Sequence, residues 1–225
     1  MPTTSIDTQQ HAAHVLEILE HSYGRRTVGY GGDPVGELIG TILSQSTTDH
    51  NSGIAYRRLR AHFADWNAVL AADEDDLEAT IRCAGLGRIK ARRIQAALGT
   101  IVARVGSLDL SLLNTMDLDA AERWLTALPG VGPKTAACVL MFALGRPALP
   151  VDTHVHRVAG RLGLIGPRVS ADAAHRLLRD LVPAADIVSF HMTMIAHGKA
   201  ICAAQRPRCP GCPLAAICPY AQARP

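Results

Sequence analysis

Only three lysines, Lys90, Lys134 and Lys199, stand among the 23 Lys and Arg residues of this sequence. Lys134 lies in ALPGVGPKTAACVL, just after a glycine-containing turn. Arginine would hold a phosphate there as well or better, through its planar fork of donors. What arginine cannot do is shed a proton and attack carbon. A lysine amine can, once burial or a neighbouring cation lowers its pKa. Eighteen residues downstream, PVDTHVHRV carries Asp152. Its carboxylate has two readings that different oxygens can satisfy at once. It caps the helix that follows, or it steadies developing positive charge on a sugar and moves a proton.

The turn itself offers binding chemistry. Pro129 ends one helix, Gly130 and Gly132 permit a tight turn with Val131 between them, and Pro133 suits the first turn of the next helix. The backbone N–H groups of such a turn can grip a phosphate without reading a base; the plain alternative is a packing corner between two helices. A second phosphate contact is expected in CAGLGRIKAR, through Arg88, Lys90, Arg92 or Arg93. Its alternative is a solvated basic face. His154 and His156 are two apart and share no helix face, which argues against a metal pair and leaves groove contact for His154. His191 and His197 read as packing or hydrogen-bonding residues.

The tail HGKAICAAQRPRCPGCPLAAICPYAQARP places Cys202, Cys209, Cys212 and Cys218 at C-x6-C-x2-C-x5-C spacing. Four soft thiolates so close together suit a metal centre. Structural zinc is one reading. Zinc sites often use two C-x2-C knuckles, however, and this run has one. The wider intervals favour a [4Fe-4S] cluster, which spacing alone does not settle. After Asp186 no acidic residue appears, while Lys199, Arg206, Arg208 and Arg224 do. A loop pinned by metal-bound cysteines would project that positive charge. Cys83 and Cys138 stand apart and read as small buried thiols.

The elements that must position these residues are helical. The chain has 225 residues and is 48% hydrophobic, enough for one or two modest domains. Aliphatic residues recur at helical spacing in HAAHVLEILEHSYG, over 35–44, and over about 50–62, 65–71 and 74–81. Further helices are expected over RIKARRIQAALGTIVARVG, before Pro129, from Pro133 to Leu144, and over 152–163, 170–181 and 186–198. No segment alternates as a strand would, so the fold class is all-α. RPALP at 146–150 is a candidate domain boundary. One arrangement returns the first helix to the C-terminal helices, which makes that domain discontinuous. The net charge of +3 is compatible with a nucleic-acid partner without requiring one. No signal peptide or membrane span is readable, and the six cysteines fit thiols or metal ligands in a cytoplasmic, nucleoid-associated protein.

LPGVGPKTA, then VDTHVHRV, then the four-cysteine tail together resemble the endonuclease III branch of the helix–hairpin–helix DNA glycosylases. The similarity spans roughly residues 15–220. It implies two helical domains flanking a DNA-binding cleft: a six-helix domain with the hairpin over 36–146, and a discontinuous one of 1–35 and 147–225 that carries a [4Fe-4S] cluster loop. It implies that Lys134 is the catalytic lysine, Asp152 the catalytic aspartate, and Cys202, Cys209, Cys212 and Cys218 the cluster ligands. The implied partner is double-stranded DNA containing damaged bases or abasic sites. The implied activity is bifunctional: excision of oxidised or reduced pyrimidines, then cleavage 3′ to the abasic site by β-elimination. Where the family has LSAQATD, this chain has LSQSTTD at 43–49. The position of the family's gap-filling glutamine holds Ser46, with Gln45 one residue earlier. Gln45 or another residue therefore fills the space left by the flipped base, and lesion range stays open.

Rival readings remain. A monofunctional adenine or mismatch glycosylase usually lacks this lysine and carries a further C-terminal domain, whereas seven residues follow Cys218 here. A non-catalytic DNA-binding module with a structural metal, or an iron–sulfur electron carrier, would need no nucleophile. No oligomer signal is visible, so a monomer is expected.

Overall fold

The computed structural model describes residues 5–29 and 32–223. Tyr30 and Gly31 of the glycine-rich loop, and Arg224 of the basic tail, lie outside the described residues. The α-helices in chain order are α1 (Ser5–Tyr23), α2 (Pro34–Ser44), α3 (Asp49–His62), α4 (Trp66–Ala71), α5 (Glu74–Ile81) and α6 (Gly87–Val105). They continue as α7 (Leu118–Thr126), α8 (Pro133–Cys138), α9 (Thr153–Arg161), α10 (Ala171–Leu181), α11 (Ile187–Ala200) and α12 (Pro219–Gln222). No strand occurs among the described residues, and none of their helices is long and apolar enough to cross a membrane. The chain divides into two compact units. One spans 29–146; the other joins the N-terminal segment through Val28 to the chain from Pro147 onward.

In the 29–146 unit, α2 is the central helix. Val35, Leu38, Ile39, Ile42 and Leu43 are buried, at the three- and four-residue spacing of one helix face. They pack against α3, α6 and α8. Each such side chain contributes about 1.5–3 kcal/mol on burial. Helix α6 buries Ala91, Ile94, Ala97, Leu98 and Ile101 by the same rule. Its basic residues face carboxylates of α5: Arg88 pairs with Glu78 at 2.8 Å and Asp75 at 2.7 Å, and Arg92 with Glu74 at 2.8 Å. The expected helix to Leu144 is α-helical only to Cys138 and continues as a π-helical turn, Val139–Ala143. That wider turn buries Val139, Leu140, Met141 and Ala143. It closes where Gly145 takes φ +64° and Arg146 donates its N–H to Leu140 O at 2.8 Å.

In the other unit, α11 is central. It buries Ile187, Val188, Phe190 and Met194 and packs against α1 and α9. Helix α1 offers Ala12, Val15, Leu16 and Leu19. Polar ties fix the N-terminal segment within this unit: His11 Nε2 lies 2.9 Å from Leu162 O, and Arg25 pairs with Asp186 at 2.7 Å.

Helix starts show a useful contrast. Side chains of Asp33, Thr48, Asp65, Asp73, Asp117, Asp152 and Ser170 cap α2, α3, α4, α5, α7, α9 and α10. Each cap is worth about 0.5–2 kcal/mol. Helices α6, α8, α11 and α12 have no side-chain cap at Leu86, Gly132, Asp186 and Cys218.

Candidate functional site

Lys134 sits in the first turn of α8, half-buried. It lines an open cavity of about 490 Å³ whose lining residues all belong to the 29–146 unit. Asp33, Glu37, Thr41, Ser44 and Tyr56 share that wall. Asp33 is occupied by structure: Oδ1 accepts from Gly36 N–H at 2.9 Å and Oδ2 from Trp66 Nε1–H at 2.5 Å. Gly36 keeps this corner thin, since a Cβ there would stand 2.6 Å from both Asp33 Oδ2 and the Tyr56 hydroxyl. Burial pushes the Glu37 carboxyl above its ordinary value; the Thr41 hydrogen bond and the Lys134 charge pull the other way.

The turn before α8 is fixed by its neighbours. Gly130 has φ +76°, and a Cβ on it would come 2.8 Å from Arg93 Cδ. Only glycine meets both demands. Val131 is buried and Gly132 exposed. Gln45 Nε2 donates to Gly130 O at 3.2 Å, while Arg93 Nη1 donates to Gln45 Oε1 at 2.9 Å. The structure thus brings Gln45, Arg93 and the hairpin together. Ser46 is exposed beside them in the chain, with φ +52°.

Lys90 departs from expectation. It was expected to reach a phosphate, yet it is 1% exposed. Its ammonium donates to Leu43 O and Ala84 O, each at 2.8 Å. A charged group held by two buried carbonyls is a structural tie, not a surface contact. Burial, with a smaller contribution from the Arg93 charge, lowers its pKa. Arg88 is exposed but stands among the carboxylates of Asp75 and Glu78. Such exposed pairs are worth only about 0–1 kcal/mol, so Arg88 remains exchangeable in a way Lys90 is not. Cys83, expected to be buried, is half-buried, whereas Cys138 is buried. Two apolar side chains escaped the sequence reading: Leu86, 54% exposed with φ +51°, and Ile89, 48% exposed. The glycines flanking Leu86 were the one available signal.

In the other unit, Asp152 Oδ1 accepts the Val155 N–H at 2.7 Å, capping α9. His154 is half-buried, its Nδ1 3.0 Å from Arg157 Nη2. A Cβ on Gly198 would lie 2.9 Å from His154 Cβ, so the histidine packs on α11. Lys199 and Arg206 are exposed, and Arg206 has φ +50°. Arg208, also exposed, donates to Ala200 O.

Cys202, Cys209, Cys212 and Cys218 line one cavity of about 20 Å³. Arg161 organises its edge: Nη1 donates to Cys202 Sγ at 3.2 Å and Ala203 O at 2.7 Å, with the guanidinium 4.4 Å over the Tyr220 ring. His197 Nε2 lies 3.6 Å from Cys212 Sγ, and its Nδ1 3.1 Å from the Tyr23 hydroxyl. Burial raises the Cys212 thiol pKa, and the other three cysteines raise it further. Among the described residues, no group of three or more His, Cys, Asp and Glu side chains is arranged to hold a metal ion. Four thiols around one cavity nonetheless form a soft donor set suited to a cationic centre.

The chain is similar to known proteins over nearly its whole length. Endonuclease III of Synechocystis sp. is 37% identical over 222 residues, covering 96% of this chain and 94% of that one. A solved non-covalent endonuclease III–DNA complex superposes with TM-score 0.81 at 30% identity, covering 95% of this chain and 96% of that one. A trapped covalent endonuclease III–DNA intermediate also gives TM-score 0.81 at 30% identity, covering 95% and 97%. The sequence profile of the HhH-GPD superfamily of base excision DNA repair proteins matches residues 39–184. With the profile spanning more than half the chain, and the relatives nearly all of it, the protein belongs to that superfamily.

Proposed function

We propose that this protein is a bifunctional DNA glycosylase and AP lyase of base excision repair, acting on oxidised or reduced pyrimidines in double-stranded DNA. The observation that carries the reading is Lys134: a half-buried amine in the first turn of α8, opening on a cavity. The similarity to an enzyme trapped covalently on DNA supports it. The neutral amine attacks C1′ of the extruded nucleotide as the glycosidic bond breaks and the base leaves with the bonding pair. Loss of the ring-oxygen bond gives an iminium between Lys134 and the sugar. The iminium acidifies the C2′ hydrogen; its removal expels the 3′ phosphate by β-elimination, and water releases the amine. Asp152 Oδ1 is engaged in capping. The other carboxylate oxygen is the group that steadies positive charge on the sugar and helps move the proton.

The uncapped starts of α6 and α8 leave backbone N–H groups for DNA phosphates. Gly130, Val131 and Gly132 supply the hairpin contact, and Arg88, Lys199, Arg206 and Arg208 add charge. Gln45, Ser46 or the exposed Leu86 would enter the stack when a base leaves it; apolar wedges serve this purpose in other DNA-bending proteins. Cys202, Cys209, Cys212 and Cys218 would hold a [4Fe-4S] cluster, too broad a centre to need the close grouping a single ion demands. Its contribution would be to order the loop that carries Arg206 and Arg208. On this reading the protein would work at the nucleoid, in the cytoplasm.

Borohydride reduction tests the chemistry. Wild-type protein should form a covalent adduct with duplex carrying an oxidised pyrimidine or an abasic site, and Lys134→Gln should form none. Robust trapping by that variant would remove Lys134 as the nucleophile. Iron analysis with visible absorption tests the cluster; one zinc and no iron in native protein would replace it with structural zinc.

A further inference from the structure

The reaction proposed above uses the Lys134 amine and leaves the rest of its cavity without a role. At about 490 Å³ the cavity is in the range that takes a small planar ligand. Its polar wall residues are not equivalent. Asp33 already accepts two hydrogen bonds, from Gly36 and Trp66. Glu37 accepts one: Thr41 Oγ1 donates to its Oε1 at 3.2 Å. Its other oxygen accepts none among the hydrogen bonds of the described residues. That oxygen is not buried, and Glu37 lines the open cavity. A ligand donor entering the cavity would meet that oxygen.

We propose that this cavity receives the base extruded beside Lys134, and that Glu37 selects it by accepting a hydrogen bond from an N–H on its Watson–Crick edge. The assignment rests on the reading of Lys134 given above. The substrate class is then narrower than damaged pyrimidines at large. It comprises bases that keep an imide N3–H or an exocyclic amine, and it excludes those alkylated at that edge. Burial makes the carboxylate hold a proton more tightly. The same property makes it a strong acceptor for an N–H. Thr41 fixes the first oxygen, so the group is oriented before the base arrives.

The test uses three duplexes, each carrying one site: 5,6-dihydrouracil (a reduced pyrimidine), its N3-methyl analogue, or a plain abasic sugar. Single-turnover rates are measured for the full wild-type chain and for Glu37→Met, which removes the acceptor at similar length. Wild type should release dihydrouracil at least about tenfold faster than the N3-methyl analogue. In Glu37→Met that preference should shrink at least about fivefold, because any steric penalty of the methyl group is common to both proteins and cancels. The variant's loss on dihydrouracil should exceed its loss on the abasic duplex by about tenfold. Equal losses on both would mean that Glu37 serves the amine instead of the base, and would overturn the proposal. So would a wild type that nicks the abasic duplex without preferring the unmethylated base, a result that does not depend on any variant folding. Failure of wild type to form a borohydride adduct with the abasic duplex would instead sink the Lys134 reading.

Discussion

At the scale of single residues, capping and chemistry can be separated at Asp152. Asparagine caps a helix about as well as aspartate, whereas alanine loses about 1 kcal/mol. Asp152→Asn should therefore melt near wild type yet turn over poorly, and Asp152→Ala should lose both. Near-normal single-turnover rates in Asp152→Asn would leave this residue only its bond to Val155. Glu37 makes a pH-dependent prediction. Its carboxyl is raised above the ordinary 4.5 by burial. The group's contribution to stability is then fully present below that ordinary value and is lost as pH rises through the raised folded value. Glu37→Gln should gain on wild type in urea midpoint as pH rises above the ordinary carboxyl value of 4.5; a difference that does not change with pH would refute the linkage. The scarcity of lysine was informative but not decisive. It singled out Lys134 and Lys90 alike, and Lys90 proved to hold the Leu43 and Ala84 carbonyls. Rarity shows that a compact three-donor ammonium is wanted. Only burial shows for what. Lys90→Met would strand two buried carbonyls, a loss of about 2–4 kcal/mol readable in urea unfolding.

Among the elements, the hairpin before α8 is the most constrained. Gly130 combines a left-handed backbone with a wall of Arg93 methylenes. Gly130→Ala should lower stability by about 1–2 kcal/mol. It should also displace Arg93, whose guanidinium holds Gln45. The measurable consequence is weaker binding to undamaged duplex together with a lower melting temperature; unchanged values of both would mean that the turn tolerates a side chain. The helices themselves were legible because apolar residues recur three and four apart, often behind a capping Asp, Ser or Thr. Where that spacing does not decide the geometry, legibility fails. Val139–Ala143 is a continuous apolar run, and such a run does not encode whether hydrogen bonds close at four or five residues. For Leu86 the hint lies in the flanking glycines, and the leucine itself does not announce that it is turned outward. In sequence, the carboxylates of α5 and the basic start of α6 stand about ten or more residues apart. They are one network, Arg88 and Arg92 against Asp75, Glu74 and Glu78.

Over the whole molecule, each unit has its own central helix, α2 in one and α11 in the other. The four cysteines belong wholly to the second. The segment from Cys202 to Cys218 contains short 3₁₀ turns and few deeply buried side chains, Leu214 and Cys218 among them. So thin a core cannot order the loop alone. Arg161 supplies part of the fastening, through Cys202, Ala203 and Ala204. The proposed cluster would supply the rest. Its removal should therefore loosen this segment and leave the 29–146 unit folded. Trypsin reports the difference cleanly. Arg206 precedes Pro207, a bond trypsin cuts poorly, whereas Arg208 precedes Cys209. Arg208 donates to Ala200 O, and its own N–H to Ile201 O. After oxidative loss of iron and chelation, cleavage at Arg208 should accelerate by about tenfold or more. Cleavage within 29–146 should stay slow. If the Arg208 bond is cut at the same rate with and without iron, the cysteines do not order this loop through a metal. Its basic face would then have to be held by Arg161 and the short turns alone.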